Sequence, residues 1–291
     1  MVAIISMSVI DETVREIAEM HTRGSSVVAV KAADALRDLV EREYPTVDEF
    51  LRSIEQNSRA LRRAKHSHAP LYTTQQRILD DVTDPKPASI EEAKEQLVAA
   101  IDGVVTEIES NKEQAAAKAA TLIDDGDVVL THDNSSTVRA TLDHAADAGT
   151  AFALYVTESR PRYLGRKTAR QLADSTGVDV TLIVDGAVGH HMADCDRVLV
   201  GMNCIIDDVV YNRVGTYPIA TTAAAEDVPV TVVGSSVKFI GGGFAFENTF
   251  RAPSEVLLEP ADGFDISNPG YDATPTTFLD TIVTEDAIIE F

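Results

Sequence analysis

Tryptophan is absent from the chain, aromatic residues make up only 5% of it, and there are just two cysteines. Cys195 and Cys204 provide neither a disulfide framework nor a C-x-x-C site, so both are expected to be core thiols in a reducing interior. Lysine is scarce too. Only 8 of the 25 basic residues are lysine, and they face 47 acidic residues, for a formal charge of −22. Phosphate backbones and anionic lipid need cationic surface, so direct nucleic-acid and membrane partners are excluded as expectations. No apolar run approaches the ~20 residues that span a bilayer. The opening "MVAIISMSVI" lacks a basic front and passes straight into "DETVREIAEM". A soluble, cytoplasmic protein with its N-terminus retained is therefore expected.

The acid is spread along the chain, and β-branched residues are plentiful, so a disordered tail is not indicated. Dispersed acid on a folded, lysine-poor protein fits a salt-rich cytoplasm, where screening weakens self-repulsion. A halophilic source is the expectation. With 291 residues and 44% hydrophobic content, the chain can bury a substantial core.

Two domains are expected, a helical one over 1–120 and an α/β one over 121–291. Val47, Phe50, Leu51, Ile54 and Leu61 follow the three-and-four spacing of an amphipathic helix. "SIEE" at 89–92 is a capping box, opening a long helix through Leu97, Ile101, Val104 and Ile108. "DDVTDPKPA" between them, with two prolines and three acids, is a connector. From residue 127 the pattern changes to short β-rich runs, "DVVLTH", "AFALYV", "VDVTLIVD", "DRVLVG" and "VPVTVVG", separated by helical stretches such as "GRKTARQLADSTG" and "GTYPIATTAAAED". The early runs barely alternate, which predicts a mainly parallel sheet wrapped by helices.

In such sheets ligands sit beyond the carboxyl ends of the strands. Those ends carry Thr131, His132 and Asp133; Thr157, Glu158, Ser159 and Arg160; Asp185; Gly201 and Asn203; and Gly234, Ser235 and Ser236, with Lys238 just beyond. At any one tip Asp133 or a serine can simply cap the next helix. Five polar tips on one rim point to a ligand crevice. Arg160 and Arg162 in "ESRPR", Arg213 in "YNRVGT" and Lys238 in "SSVKF" stand out in an acidic chain, and with helix N-termini they make an anion site. Arg23 and Gly24 in "MHTRGSSVVAV" offer a similar site or a kinked surface turn. "GGGF" at 241–244 lacks the strand–G-x-G-x-x-G–helix context of a nucleotide fingerprint and is expected to be a flexible turn. "HSHAP" and "GHHMADC" lack carboxylates or thiols at metal-ligand spacing, so no metal is expected, and no cofactor is indicated.

"ESRPRYLGRKTARQLADSTGVDVTLIVDGAVGHHM", "DRVLVGMNCIIDDVVYNRVGTYPIATTAAAEDVPVTVVGSSVKF" and "NPGYDATPTTFLDTIVTEDAII" resemble a superfamily. It unites the alpha, beta and delta subunits of translation initiation factor 2B with the ribose-1,5-bisphosphate and methylthioribose-1-phosphate isomerases. "HTRGSSVVAVKAADAL" resembles that family's N-terminal Arg-Gly segment, so the likeness covers nearly the whole chain. The resemblance implies a helical N-terminal domain, a Rossmann-like C-terminal domain, and assembly into homo-oligomers. It implies ligand-binding roles for Arg23, Gly24, Ser135, Ser136, Asn212, Arg213, where the family has lysine, and Lys238. In the isomerase branch the positions of Asp133 and Asn203 carry a cysteine and an aspartate that transfer protons.

Aldose–ketose isomerisation moves a proton between adjacent carbons and needs groups to take and return it. An asparagine donates a hydrogen bond and titrates no proton near neutrality. A carboxylate at 133 is a weak base unless desolvated. Two functions are therefore expected in order of preference. The first is a binding or regulatory protein that holds a phosphorylated sugar or nucleotide, with the alpha subunit of initiation factor 2 as a partner. The second is an isomerase converting ribose 1,5-bisphosphate to ribulose 1,5-bisphosphate, with Asp133 as base and Asn203 polarising the carbonyl.

Overall fold

A computed structural model describes residues 8–19, 24–64, 68–241, 246–259 and 262–291. The chain divides into two compact units, residues 1–110 and 111–291.

The first unit is helical. Helix α1 (Val9–Ala18) starts at Ser8, whose Oγ accepts from the Asp11 amide, and α2 (Ser25–Ala35) follows Gly24 at φ 87°. Helix α3 (Val47–Arg63) is capped by Thr46, and α4 (Ala69–Thr83) leads to the long α5 (Ile90–Ala120). The expected stripe of α3 packs inward, with Phe50, Ile54 and Leu61 essentially inaccessible and Leu51 packed partly against them. Leu97, Ile101, Val104 and Ile108 of α5 complete this core. Burying each such side chain contributes roughly 1.5–3 kcal/mol. The capping box at 89–92 takes a shifted form. Ser89 Oγ accepts from the Glu92 amide at 3.1 Å, while Glu92 reaches back to the Ala88 amide at 2.7 Å. Helix α5 runs on past residue 110, because Ala115 and Ala119 are buried against the second core. The unit division consequently falls inside this helix rather than after it.

The second unit alternates strands and helices: β1 (Val128–Thr131), α6 (Ser136–Asp147), β2 (Phe152–Thr157), α7 (Leu164–Leu172), β3 (Val178–Ile183), α8 (Val188–His191), β4 (Arg197–Gly201), β5 (Cys204–Ile206), β6 (Val209–Arg213), α9 (Thr216–Ala225), β7 (Val230–Val233), β8 (Phe239–Ile240), β9 (Tyr271–Pro275), β10 (Thr281–Val283) and β11 (Ile288–Glu290). The larger sheet has the order β11-β10-β7-β4-β1-β2-β3. All its pairings are parallel except β10 with β11. Central strands β4 and β7 are buried along nearly their whole length, as strands covered on both faces should be. Edge strand β3 is mostly exposed or half-buried.

A second, smaller sheet of order β8-β5-β6-β9 is a feature that the apolar pattern did not announce. Its β5–β6 hairpin turns through Asp207, at φ 50°, and Asp208. Only Met202 and Asn203 link β4 to this hairpin, so the small sheet carries Asn203, Asn212 and Arg213 to the rim of the large one. Among the described residues no helix is long and apolar enough to cross a membrane.

Candidate ligand-binding and active site

The chain winds outward from β1 through β2 to β3, then returns to the other side of β1 for β4, β7 and β10. The reversal lies between β1 and β4, and such reversals open the crevice that binds ligands. The two tips flanking it carry Asp133 and Asn203.

Strand β1 ends in a tight turn, where Asp133 takes the left-handed φ of 67° that aspartate tolerates better than most residues. Its amide donates to Ser159 Oγ at 2.8 Å, and its carbonyl accepts from Thr168 Oγ1 at 2.7 Å. Helix α7 can deliver Thr168 because Gly165 lies flat against β2. A Cβ there would sit 1.7 Å from the Thr157 carbonyl oxygen. Tied at both ends, the turn leaves the carboxylate facing Arg213, whose Nε donates to Asp133 Oδ2 at 3.2 Å. The two side chains are only 13% and 15% exposed, so this pair is shielded from screening.

Behind the pair, His132 is buried. Its Nε2 lies 2.9 Å from the Val214 carbonyl, so that nitrogen carries the proton in the neutral ring. Nδ1 then accepts from the Thr157 hydroxyl at 2.6 Å. Gly215, at φ 111°, makes room for the ring, since a Cβ there would lie 2.6 Å from His132 Cε1. The amides of Ser159 and Arg160 each donate to Asp185 at 2.7 Å. That contact fixes the exit from β2 and sends Arg160 and Arg162 towards one small cavity, which Asp133, Ser159, Arg213 and Arg251 also line. Arg213 stands over the Tyr271 ring at 4.9 Å. Burial disfavours its charge, but Tyr271 and Asp133 outweigh this and hold its pKa above the ordinary arginine value.

A second group gathers at the tips of β4 and β7. Asn203 is buried, with its backbone N–H donating to the Tyr211 carbonyl at 2.9 Å. Lys238 is buried as well, with Nζ donating to the Met202 carbonyl at 2.9 Å. Desolvation pushes its pKa down to about 8, against the opposing pull of Cys204 and Glu285. Ser135 caps α6, its Oγ accepting from the Val138 amide at 3.3 Å, and packs over Gly201, where a Cβ would approach within 2.4 Å. Ser136 begins the same helix and is exposed.

Asp133, Arg160 and Arg213 thus share a cavity, and Asn203, Lys238 and Ser135 occupy neighbouring tips. Asn212 lies at the end of β6. It is buried, and its Nδ2 donates to Thr216 Oγ1 at 3.1 Å, so its amide braces the start of α9. Gly24 opens α2 in the helical unit, and Arg23 lies outside the described residues, as do Gly242 and Gly243 of the "GGGF" run. His191 stacks on Tyr155 at 4.6 Å. Among the described residues no three His, Cys, Asp or Glu side chains are grouped to hold a metal. Arg251 and Glu285 are the site-region residues that sequence reasoning missed. Arg251 comes from an irregular segment, and Glu285 follows a strand of three residues.

The family model described as "Initiation factor 2 subunit family" matches residues 21–290. The chain belongs to that family. Within it, the chain is 32% identical to a protein of Haloterrigena turkmenica named ribose 1,5-bisphosphate isomerase, over 94% of this chain and 88% of that one. It is 31% identical to a protein of the same name from Methanocaldococcus jannaschii, over 97% and 92%. Among solved structures, translation initiation factor eIF-2B of Pyrococcus horikoshii superposes with a TM-score of 0.82 at 26% identity, covering 98% of both chains. The initiation factor 2 subunit family therefore accounts for both units and for the sheet topology. The isomerase-named relatives favour the isomerase expectation over the regulatory one that the substitutions at 133 and 203 had put first.

Proposed function

We propose that this chain is an aldose–ketose isomerase acting on a phosphorylated pentose of the ribose 1,5-bisphosphate class. The observation that carries the reading is the position of Asp133, a largely buried carboxylate at the β1 tip beside the sheet reversal. The full-length likeness to proteins named for that reaction supports it.

Conversion of a furanose 1,5-bisphosphate to the 2-ketose breaks the bond from C1 to the ring oxygen. The C2 proton moves to C1, and the C2 hydroxyl proton ends on the freed ring oxygen. In this reading Asp133 takes the proton from C2 and returns it to C1, the role of a general base and then acid. Asn203 donates a hydrogen bond to the departing ring oxygen without transferring a proton. Arg160, Arg213 and Lys238 hold the phosphates, with Ser135, Ser136 and the N-terminus of α6 as further donors.

A second reading, binding without turnover, is favoured by one specific observation. Asp133 Oδ2 is occupied by Arg213, and its potential partner is an amide rather than an acid. In that case the chain serves a regulatory role, and it should copurify with the alpha subunit of initiation factor 2.

The deciding experiment incubates purified protein with ribose 1,5-bisphosphate over a range of KCl concentrations and follows the sugar by NMR. Ribulose 1,5-bisphosphate should form, and Asp133→Ala should slow its formation by ~10²- to 10⁴-fold. Absence of product from the folded wild-type protein at every salt concentration would leave only the binding reading.

A further inference from the structure

The cavity at the β1 tip holds more positive charge than the isomerase reading assigns to it. Arg160, Arg162, Arg213 and Arg251 line it, and among the described residues Asp133 is the only carboxylate in its wall. Arg213 spends Nε on Asp133, yet its Nη1 is buried with no hydrogen-bond partner. A buried guanidinium N–H without an acceptor is costly, and in a cavity of this sign it marks a place for an anion.

Arg251 adds a second, independent sign of crowding. Burial pushes its pKa down to about 10, and the neighbouring charges of Arg213 and Arg162 push in the same direction, with Tyr271 and Glu255 opposing. The fold makes room for this residue at a cost. Gly270 also lines the cavity, and a Cβ on it would come within 3.3 Å of Arg251 Nε and 2.9 Å of the Thr249 carbonyl oxygen. Glu255 forms an ion pair with Arg162 at 3.7 Å, which together with Asp133 offsets only part of the charge of the four arginines. Like charges packed this closely repel unless something negative joins them, and a phosphate dianion carries both the charge and the acceptor oxygens that guanidinium forks match.

We propose that Arg162, Arg213 and Arg251 form a phosphate-binding subsite in which the Asp133 carboxylate is the internal occupant, displaced from Arg213 when a phosphate group arrives. The ligand identity, a phosphate of a sugar bisphosphate, rests on the function proposed above; the subsite itself rests on the arginine cluster. Displacement links binding to chemistry. It frees Asp133 Oδ2 from its guanidinium partner, so that the oxygen can accept a proton from the sugar.

The test is isothermal titration of the whole protein with inorganic phosphate and with ribose 1,5-bisphosphate at one fixed KCl concentration. Arg251→Gln should weaken both ligands about ten-fold or more, the loss expected for one charge-assisted contact. Asp133→Asn should tighten inorganic phosphate several-fold, because the competing carboxylate is gone. It should also raise the thermal stabilisation that phosphate gives. Unchanged affinities in Arg251→Gln overturn the proposal, and so does an Asp133→Asn protein that binds phosphate no better than wild type. The two failures separate cleanly. Phosphate binding that follows these variants without any turnover rejects the isomerase alone, while wild-type turnover and KM in Arg251→Gln reject the subsite alone.

Discussion

Lys238 Nζ donates to the backbone carbonyl of Met202 at 2.9 Å, pinning a buried amine to the two-residue link that carries Asn203. Its pKa, pushed down by burial to about 8, makes this lysine titrate near physiological conditions. Phosphate ligands need the ammonium form. Affinity for ribose 1,5-bisphosphate should therefore fall as pH rises through about 8, and Lys238→Met should abolish that step. Titration calorimetry from pH 7 to 10, as an approximate window around the lysine range, checks both. For stability the sign is reversed. Between about 8 and 10.5 the unfolded chain binds the proton that the folded chain has lost, so folding stability should rise with pH across that window.

Glu285 is buried and accepts from Ser235 Oγ at 3.0 Å, from Ser236 Oγ at 2.7 Å and from the Ser236 amide at 2.9 Å. Three donors lose their acceptor together in Glu285→Ala. The variant should be destabilised by about 3 kcal/mol, since hydrogen bonds to a charged group are worth roughly 1.5–3 kcal/mol each and the orphaned hydroxyls regain some water. Denaturant unfolding at fixed salt measures this, and a wild-type midpoint would show that the serines find other acceptors.

Gly215→Ala combines two penalties, a left-handed φ of 111° and a methyl group 2.6 Å from the His132 ring. A loss of about 2 kcal/mol or more is expected. Because His132 lies behind Asp133, phosphate binding should weaken along with stability.

Asn203→Asp supplies the missing acid beside a buried lysine. If proton delivery to the ring oxygen limits the reaction, turnover of ribose 1,5-bisphosphate should rise by up to ~10²-fold, at the low end of what a positioned acid contributes. Steady-state rates by NMR decide it, and equal rates would mean that the amide already suffices.

Burial pushes the thiol of Cys195 up to about 11 and that of Cys204 up to about 12. The thiolate is the reactive form, so both should resist alkylation in the folded protein and react readily once it is unfolded. Mass spectrometry after iodoacetamide treatment distinguishes the two states. Rapid labelling of folded protein would contradict the burial of both sites.

What sequence could reveal follows from range. The strands β1, β2, β3, β4 and β7 are short runs rich in apolar β-formers with recognisable ends, so their tips, including Asp133, Asn203 and Lys238, could be placed on one rim in advance. The buried stripe of α3 was legible because local periodicity records it. The small sheet was not, because β5 and β8 have only three and two residues, and β6 and β9 mix apolar positions with Asn212, Arg213 and Asp272. Nor was the Asp133–Arg213 pair, whose members lie 80 residues apart and meet only through the β5–β6 hairpin. Arg251 carried no local signal at all. Its relevance depends on Gly270 leaving the space it fills.

The left-handed turn at Asp133 restricts which side chains this tip accepts cheaply. Most L-residues lose roughly 1–2 kcal/mol in that conformation, and aspartate and asparagine are the usual exceptions. A thiol introduced there would inherit a backbone shaped for a carboxylate. Putting a cysteine at this tip would therefore cost about 1–2 kcal/mol of folding stability unless the loop relaxes around it.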